Sequence, residues 1–389
     1  MQVCNNEYDY TSKLCFKAQW YDYQTQYLKH FNLTYYPYDN TVELYDEDIQ
    51  KIYLRRSASE NIAMKDFYIG NTVRIYGRQI ELVEYGDEFT KKLISKSKQH
   101  TFLLIKPSMA DRLGVVVNEI QDRNFQICKM RMANMTRREA LDFYESKKGD
   151  VFLPFQIEHI ISGSVVGVEV VGLNAIERWN EILGPDDPVE ARKTHPESLR
   201  AIYGESKATN AFHCAQDAEA AEKESNYFFP KGPRTLPPNP TILLKNTTCC
   251  IIKPHVIYQG NLGNLITSIQ DNKLFKITAL RMINFSTPDC EEFLEVYKGV
   301  IADFNALFFS YLDGFCVALE IAGRQDDINV HEEFRQFTGP IHSNVAKQIR
   351  PMSLRALYGI DKYKNAVHCT DLPEDTQLEL EYVFKILDC

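Results

Sequence analysis

The chain reads as α+β, with a β-rich N-terminal module followed by two copies of one strand-and-helix unit. Three observations predict this. Residues 1–95 alternate apolar and polar positions within aromatic-rich runs bounded by turn signals. From His100 onward, short apolar strands alternate with amphipathic helices. Finally, Asn-Ala-Phe-His-Cys at 210–214 returns as Asn-Ala-Val-His-Cys at 365–369, with Leu199-Arg200 echoed by Leu354-Arg355 and Glu224 by Glu379, all offset by 155 residues. An offset that keeps one Asn, one His, one Arg and one Glu in register marks a duplicated site as well as a duplicated core.

In the first module, Phe16–Trp20 and Phe31–Tyr36 read as strands, and Pro37-Tyr38-Asp39-Asn40 as the turn into the alternating Thr41–Leu44. Ile49–Arg55 and Thr72–Tyr85 continue the pattern, broken by Gly77 and by Gly86-Asp87. No nucleophile stands at readable spacing from a base here, which predicts a binding or packing module. Lys91–Lys98 reads as a basic joint.

The second segment opens with the strand His100–Ile105, which ends in Lys106-Pro107. A helix carrying Val115, Val116 and Ile120 follows, then the strand Phe125–Met130 and the helix Arg137–Ser146. Ser164–Val171 is a further strand and Asn174–Ile182 a further helix. Residues 230–240 hold five prolines and no apolar periodicity, so they read as a semi-rigid linker. The strand–Lys–Pro pattern restarts at Cys249–Pro254. The expected boundaries are therefore 1–95, 100–229, the linker 230–240, and 247–389.

The totals narrow the function. A chain of 389 residues suits two to three domains, and 25% charged with 44% apolar residues is ordinary globular composition. A net charge of −9 disfavours nucleic acid as a partner, because phosphate contacts need a basic face. No apolar run reaches the roughly 18 residues of a membrane span. Met1–Tyr10 is polar, unlike a secretory leader. The ten cysteines show no C-x-x-C spacing, which favours reduced thiols over a disulfide framework or a zinc site.

Lys-Pro after an apolar strand, a Tyr about forty residues on, an Arg ten before an Asn, and N-x-x-H ahead of an acidic helix resemble the nucleoside diphosphate kinases. The likeness spans roughly 100–229 and 247–387, and the spacing is kept twice. It implies a ferredoxin-like βαββαβ sheet with added helices in each repeat. Through its aromatic strands and Asp66–Gly70, the first module resembles the DM-ten domain of ciliary proteins, which implies a β-sandwich or barrel of pleckstrin-homology type. A DM-ten module ahead of two such repeats implies a ciliary axonemal protein on the inner wall of doublet microtubules, with tubulin and neighbouring axonemal proteins as partners. The alternative it implies is an active cytosolic or centrosomal kinase associated with γ-tubulin complexes.

The site roles come from the same resemblance. His213 and His368 would take the γ-phosphate as phosphohistidine, since imidazole is neutral and modestly basic near pH 7. Glu224 and Glu379 would hold the far ring nitrogen's proton. Lys106 with Asn210, and Lys253 with Asn365, would meet the ribose hydroxyl. Arg200, Arg355 and Arg335 would bind phosphate, where charge-assisted contacts count most. Thr370 would supply a hydroxyl, and Phe152 and Phe304 would stack on the base, the second with a one-residue slip relative to Tyr297. Mg²⁺ would arrive with the NTP or NDP, with no resident metal. The remaining histidines have no repeated partners and read as ordinary core or surface residues.

The first repeat departs further from the family pattern. It has Asn180 where the second keeps Arg335, and Cys214-Ala215-Gln216 where the second has Cys369-Thr370-Asp371. Asp186 and Ile341 both replace a phosphate-binding threonine. The second repeat is therefore expected to be the better catalyst, although its Lys253–His368 interval is eight residues longer than Lys106–His213, through an insertion expected near Phe304–Asp327. Arg200 and Arg355 lie sixteen positions past Gly184 and Gly339. That interval is longer than the family's, in a loop that carries its oligomer contacts, so an internal pair of repeats about a pseudo-two-fold axis is expected in place of a hexamer.

Overall fold

The computed structural model describes residues 12–59, 62–230 and 240–388; Met1–Tyr10 and most of the proline-rich linker, 231–239, lie outside them. The chain forms two compact units, Met1–Gln99 and His100–Cys389.

In the first unit, strands β1 (Leu14–Asp22), β2 (Tyr27–Tyr36), β3 (Thr41–Asp46), β4 (Lys51–Ala58), β5 (Thr72–Ile75) and β6 (Arg78–Tyr85) make one sheet in the order β4-β3-β2-β1-β6-β5. Alternation does the work, since Leu14, Phe16 and Ala18 of β1 face a core with Phe31, Leu33 and Tyr35 of β2 while their neighbours face out. Tyr76 and Gly77, at φ 47° and 81°, close the β5–β6 hairpin. Among the described residues this is a single six-stranded sheet with β4 and β5 at its ends, where a sandwich or barrel was expected. The basic joint expected at 91–98 is instead largely helix, Glu88–Ser97, because Asp87 caps it by accepting from Thr90 N and Ile94 is fully buried.

The second unit carries both repeats on one eight-stranded sheet. Its strands are β7 (Gln99–Ile105), β8 (Gln126–Ala133), β9 (Val165–Gly172), β10 (Phe212–Cys214), β11 (Thr247–Ile252), β12 (Phe275–Ile283), β13 (Cys316–Gly323) and β14 (Val367–Cys369). The order β10-β7-β9-β8-β12-β13-β11-β14 gives each repeat the fourth-first-third-second arrangement of a ferredoxin-like sheet. β8 and β12 meet antiparallel at the centre, with Arg131 opposite Arg281.

Helices Leu113–Asp122 and Leu262–Gln270 pack against each other beneath this junction. Gly114 and Gly263 permit the approach, because a Cβ on Gly114 would strike the backbone of Thr267 and one on Gly263 would strike Asn118. Two reciprocal bonds close the contact, with Gly114 N donating to Gln270 Oε1 at 2.9 Å and Gly263 N to Gln121 Oε1 at 3.3 Å. One apolar cluster runs through both repeats, from Leu103, Val117 and Val168 to Leu265, Leu319 and Val367.

The extra residues of the second repeat fall partly at the C-terminal end of the interval 304–327 where the spacing suggested an insertion, and partly before it. The main difference is the connection from β13 to the helix Val330–Thr338, whose counterpart from β9 to Ala175–Leu183 is shorter. Arg324 N ties this loop to Leu274 O.

Candidate active sites

Each histidine sits mid-strand on a three-residue outer strand, in β10 and β14. The alanine before each strand, Ala211 at φ 67° and Ala366 at φ 71°, is in the left-handed region. Lys106 N and Lys253 N each donate to that alanine's carbonyl at 2.9 Å. The Asn-Ala-x-His echo therefore records a strained turn that places Asn, Lys and His together. His255 completes the second turn, its Nε2 accepting from Ala366 N at 3.2 Å. Nothing in the spacing pointed to His255.

Both imidazoles are almost fully buried, and each meets a phenylalanine edge-on, Phe143 to His213 and Phe293 to His368, at 5.4 Å and 75°. This shared geometry corrects the register behind the base-stacking expectation. Phe143-Tyr144 matches Phe293-Leu294, so Tyr297 stands in for Lys147 and not for Tyr144. Phe152 lies at the N-terminal cap of its helix, 39% exposed, with Lys207 Nζ 4.4 Å from its ring centre. The cap residue of the second repeat is Asp303, bonded by Tyr363 OH at 2.8 Å. Phe304 instead stacks on Phe308 within the apolar cluster.

The two histidine–glutamate pairs differ. His368 Nε2 lies 3.0 Å from both carboxylate oxygens of Glu379, and Thr370 Oγ1 donates to Oε2 of that carboxylate at 2.7 Å. Nδ1 is thereby the nitrogen left for chemistry. His213 Nε2 stands 2.9 Å from Glu224 Oε1, but off the line of a ring N–H bond. Glu224 Oε2 is buried with no hydrogen-bond partner, because Ala215 lacks the hydroxyl of Thr370. Burial pushes the His213 pKa down, against the pull of Glu224, so its imidazole is neutral at pH 7.

The cations also diverge. Arg200 donates to Gly184 O at 2.5 Å and meets Asp186 Oδ1 at 2.9 Å. Arg355 donates to Gly339 O at 2.8 Å and Val367 O at 3.2 Å, and no carboxylate pairs with it among the described contacts. Arg335 donates to Thr370 O at 2.8 Å and pairs with Asp371 at 2.7 Å, while Tyr297 OH holds the other oxygen of Asp371. In the first repeat Asn180 takes that place, donating to Ala215 O at 3.1 Å and accepting from Gln216 at 2.9 Å. A charged pair has thus become a neutral amide pair with the same reach.

Lys106 Nζ donates to Asn210 Oδ1 at 2.7 Å, as the expected pairing requires. The second repeat does not make that pair. Lys253 Nζ goes to Tyr363 O at 2.7 Å and to Ser310, leaving Asn365 Oδ1 buried and without a partner. An orphaned buried acceptor suits a ligand hydroxyl.

Burial brings both lysines down to about 7, with Lys147 and Arg200 adding to the effect on Lys106 and Arg355 to that on Lys253. Each therefore sits at half protonation near neutrality. A polyphosphate favours the ammonium form, so nucleotide binding at pH 7–8 is expected to take up protons and to weaken as pH rises above about 7. Calorimetry in buffers of different ionisation heat reads the uptake directly.

His100, Cys128 and Glu169 form a separate group of metal-ligand types. Glu169 is already held by His100, Lys129 and Ser225; these hold it down to about 2 although burial works against its charge. An ammonium 3.1 Å from the carboxylate is a poor neighbour for a cation.

A family model described as nucleoside diphosphate kinase matches residues 99–233 and 246–388. The chain belongs to the nucleoside diphosphate kinase family. It is similar to nucleoside diphosphate kinase homolog 7 of Rattus norvegicus, at 39% identity over 97% of this chain and 94% of that protein. The Mus musculus homolog 7 is 38% identical over the same shares. Human nucleoside diphosphate kinase homolog 5 is 35% identical over 34% of this chain and 63% of its own length. The family match covers both histidines with their glutamates, lysines and arginines, and leaves the first unit almost entirely outside it.

Proposed function

We propose that the chain transfers the γ-phosphate of a nucleoside triphosphate to a nucleoside diphosphate through His368, with the first repeat strongly impaired. The observation that carries this reading is the bidentate grip of Glu379 on His368 Nε2, reinforced by Thr370. It fixes the tautomer and leaves Nδ1 as the nucleophile.

In the forward half-reaction Nδ1 bonds the γ-phosphorus while the bond to the β,γ-bridging oxygen breaks. The nucleoside diphosphate leaves with that electron pair, and the Nε2 proton stays with Glu379. A second diphosphate reverses the step. Arg355 and Lys253 supply positive charge for the phosphates, and Asn365 Oδ1 is free to accept from a ribose hydroxyl. Mg²⁺ comes bound to the substrate phosphates, and Asp371 is committed to Arg335 and Tyr297.

Incubation with γ-labelled ATP is expected to give an acid-labile label that His368→Gln removes and His213→Gln leaves largely intact. Label that persists in His368→Gln overturns the assignment to the second repeat.

A second reading concerns location: a ciliary axonemal protein inside doublet microtubules, touching tubulin and its neighbours. Two features support it, an N-terminal unit outside the kinase repeats with exposed Tyr21, Tyr23, Tyr27 and Tyr38, and a first repeat kept in full while some of its phosphate contacts are degraded, at Asn180 and Asp186. The alternative location is cytosolic or centrosomal, with γ-tubulin complexes. High-salt extraction of cilia separates them, since a protein lodged within the doublet stays with the microtubules.

A further inference from the structure

The residue two past the helix-ending glycine is held identically in the two repeats. Asn210 Nδ2 donates to the carbonyl of Asp186 at 3.0 Å, and Asn365 Nδ2 to the carbonyl of Ile341 at 3.2 Å. Gly184 and Gly339, at φ 73° and 82°, set the same approach. From one backbone position, then, two different side chains project. Ile341 is 49% exposed. Asp186 turns its carboxylate onto Arg200, 2.9 Å away, and is half-exposed itself.

Arg200, Lys147, Lys106 and His213 act on that carboxylate and hold its pKa down against its burial. They are the groups a terminal phosphate would use in the first repeat.

We propose that Asp186 is a built-in occupant of the first repeat's phosphate subsite, holding a latent nucleoside di- or triphosphate site closed. The carboxylate supplies the negative charge that Arg200 would otherwise seek from nucleotide, and it meets an incoming phosphate with like charge. The rest of the site remains built: Lys106 bonds Asn210, His213 faces Glu224, and the Tyr144 hydroxyl and Arg200 Nε are buried without partners. These orphaned groups favour a closed site over one rebuilt for packing.

The inference rests on the phosphohistidine reading above for its labelling arm, but not for its binding arm. The full-length His368→Gln protein isolates labelling at the first repeat; its second repeat still offers Arg355, Lys253 and Asn365 to nucleotide, so first-site binding is read as the change on adding Asp186→Asn or Asp186→Ile. Binding of a fluorescent nucleoside diphosphate analogue at the first site is expected to tighten by about tenfold to a hundredfold, the effect of gaining a charge-assisted phosphate contact. Acid-labile label, removed again by His213→Gln, is expected to appear where His368→Gln alone shows little. Unchanged binding and unchanged label in a protein of unaltered melting temperature overturn the proposal. If His213→Gln alone labels at His368 while the Asp186 variants neither bind more tightly nor label, the closed-site inference fails and the second-repeat assignment stands. Tighter binding without label at either histidine keeps Asp186 as the occupant and removes phosphoryl transfer.

Discussion

Glu379→Gln is expected to slow phosphorylation of His368 by about ten- to a hundredfold while leaving the fold intact. As Nδ1 attacks, positive charge develops on the ring, and the carboxylate 3.0 Å from Nε2 stabilises it. Glutamine keeps the volume and can still meet Thr370 but has no charge to offer. A charge-assisted hydrogen bond is worth about 1.5–3 kcal/mol, which sets the size of the effect. Rapid-quench measurement of label formation gives the rate, and thermal melting gives the control. A rate unchanged beyond twofold would show that Glu379 only packs against the ring. Glu224→Gln is expected to change less, because that carboxylate lacks both the aligned approach to Nε2 and the hydroxyl partner.

Glu320→Ala is expected to cost about 1–3 kcal/mol of stability, the size typical of leaving buried hydrogen-bond donors without their acceptor. Glu320 is fully buried at the middle of β13. Its carboxylate accepts from Leu243 N at 2.8 Å, Leu244 N at 2.8 Å and Thr278 Oγ1 at 2.7 Å. Alanine would leave both backbone donors without that acceptor, while Thr278 Oγ1 keeps the carbonyl of residue 320 at 3.3 Å. Glu169 holds the matching position in β9, but its partners His100 and Lys129 are 36% and 37% exposed, so water can replace the carboxylate. Glu169→Ala should cost clearly less. Denaturant titration of both variants makes the comparison, and equal losses would contradict it.

The strand and helix pattern was legible wherever periodicity was local. β7, β9 and the helix Leu113–Asp122 lie where short apolar runs and the 3.6-residue period put them. The basic run at 91–98 was misread because lysines on the outer face mask a helix whose inner face is Leu93 and Ile94. Fixed spacing exposed the repeated Lys, Arg, Asn, His and Glu, and the fold brings each His beside its Glu. Counting from Tyr297 to Phe304 assumed that the tyrosines correspond, whereas Phe293, edge-on to His368 as Phe143 is to His213, marks the shared register. Glu320 was invisible, since a carboxylate in an apolar strand signals nothing until its donors, some forty and eighty residues away, are in place.

Repetition in the sequence marked a duplicated unit, and the resemblance of its motifs pointed to the family, because both rest on short-range periodicity and repeated intervals. Which groups actually meet was settled in three dimensions. Asp186 reaches Arg200, Lys253 turns to Tyr363 instead of Asn365, and two glycines let the repeats share one core. Such contacts join segments far apart along the chain, where a shift of one side chain changes the partner and leaves every local pattern unaltered.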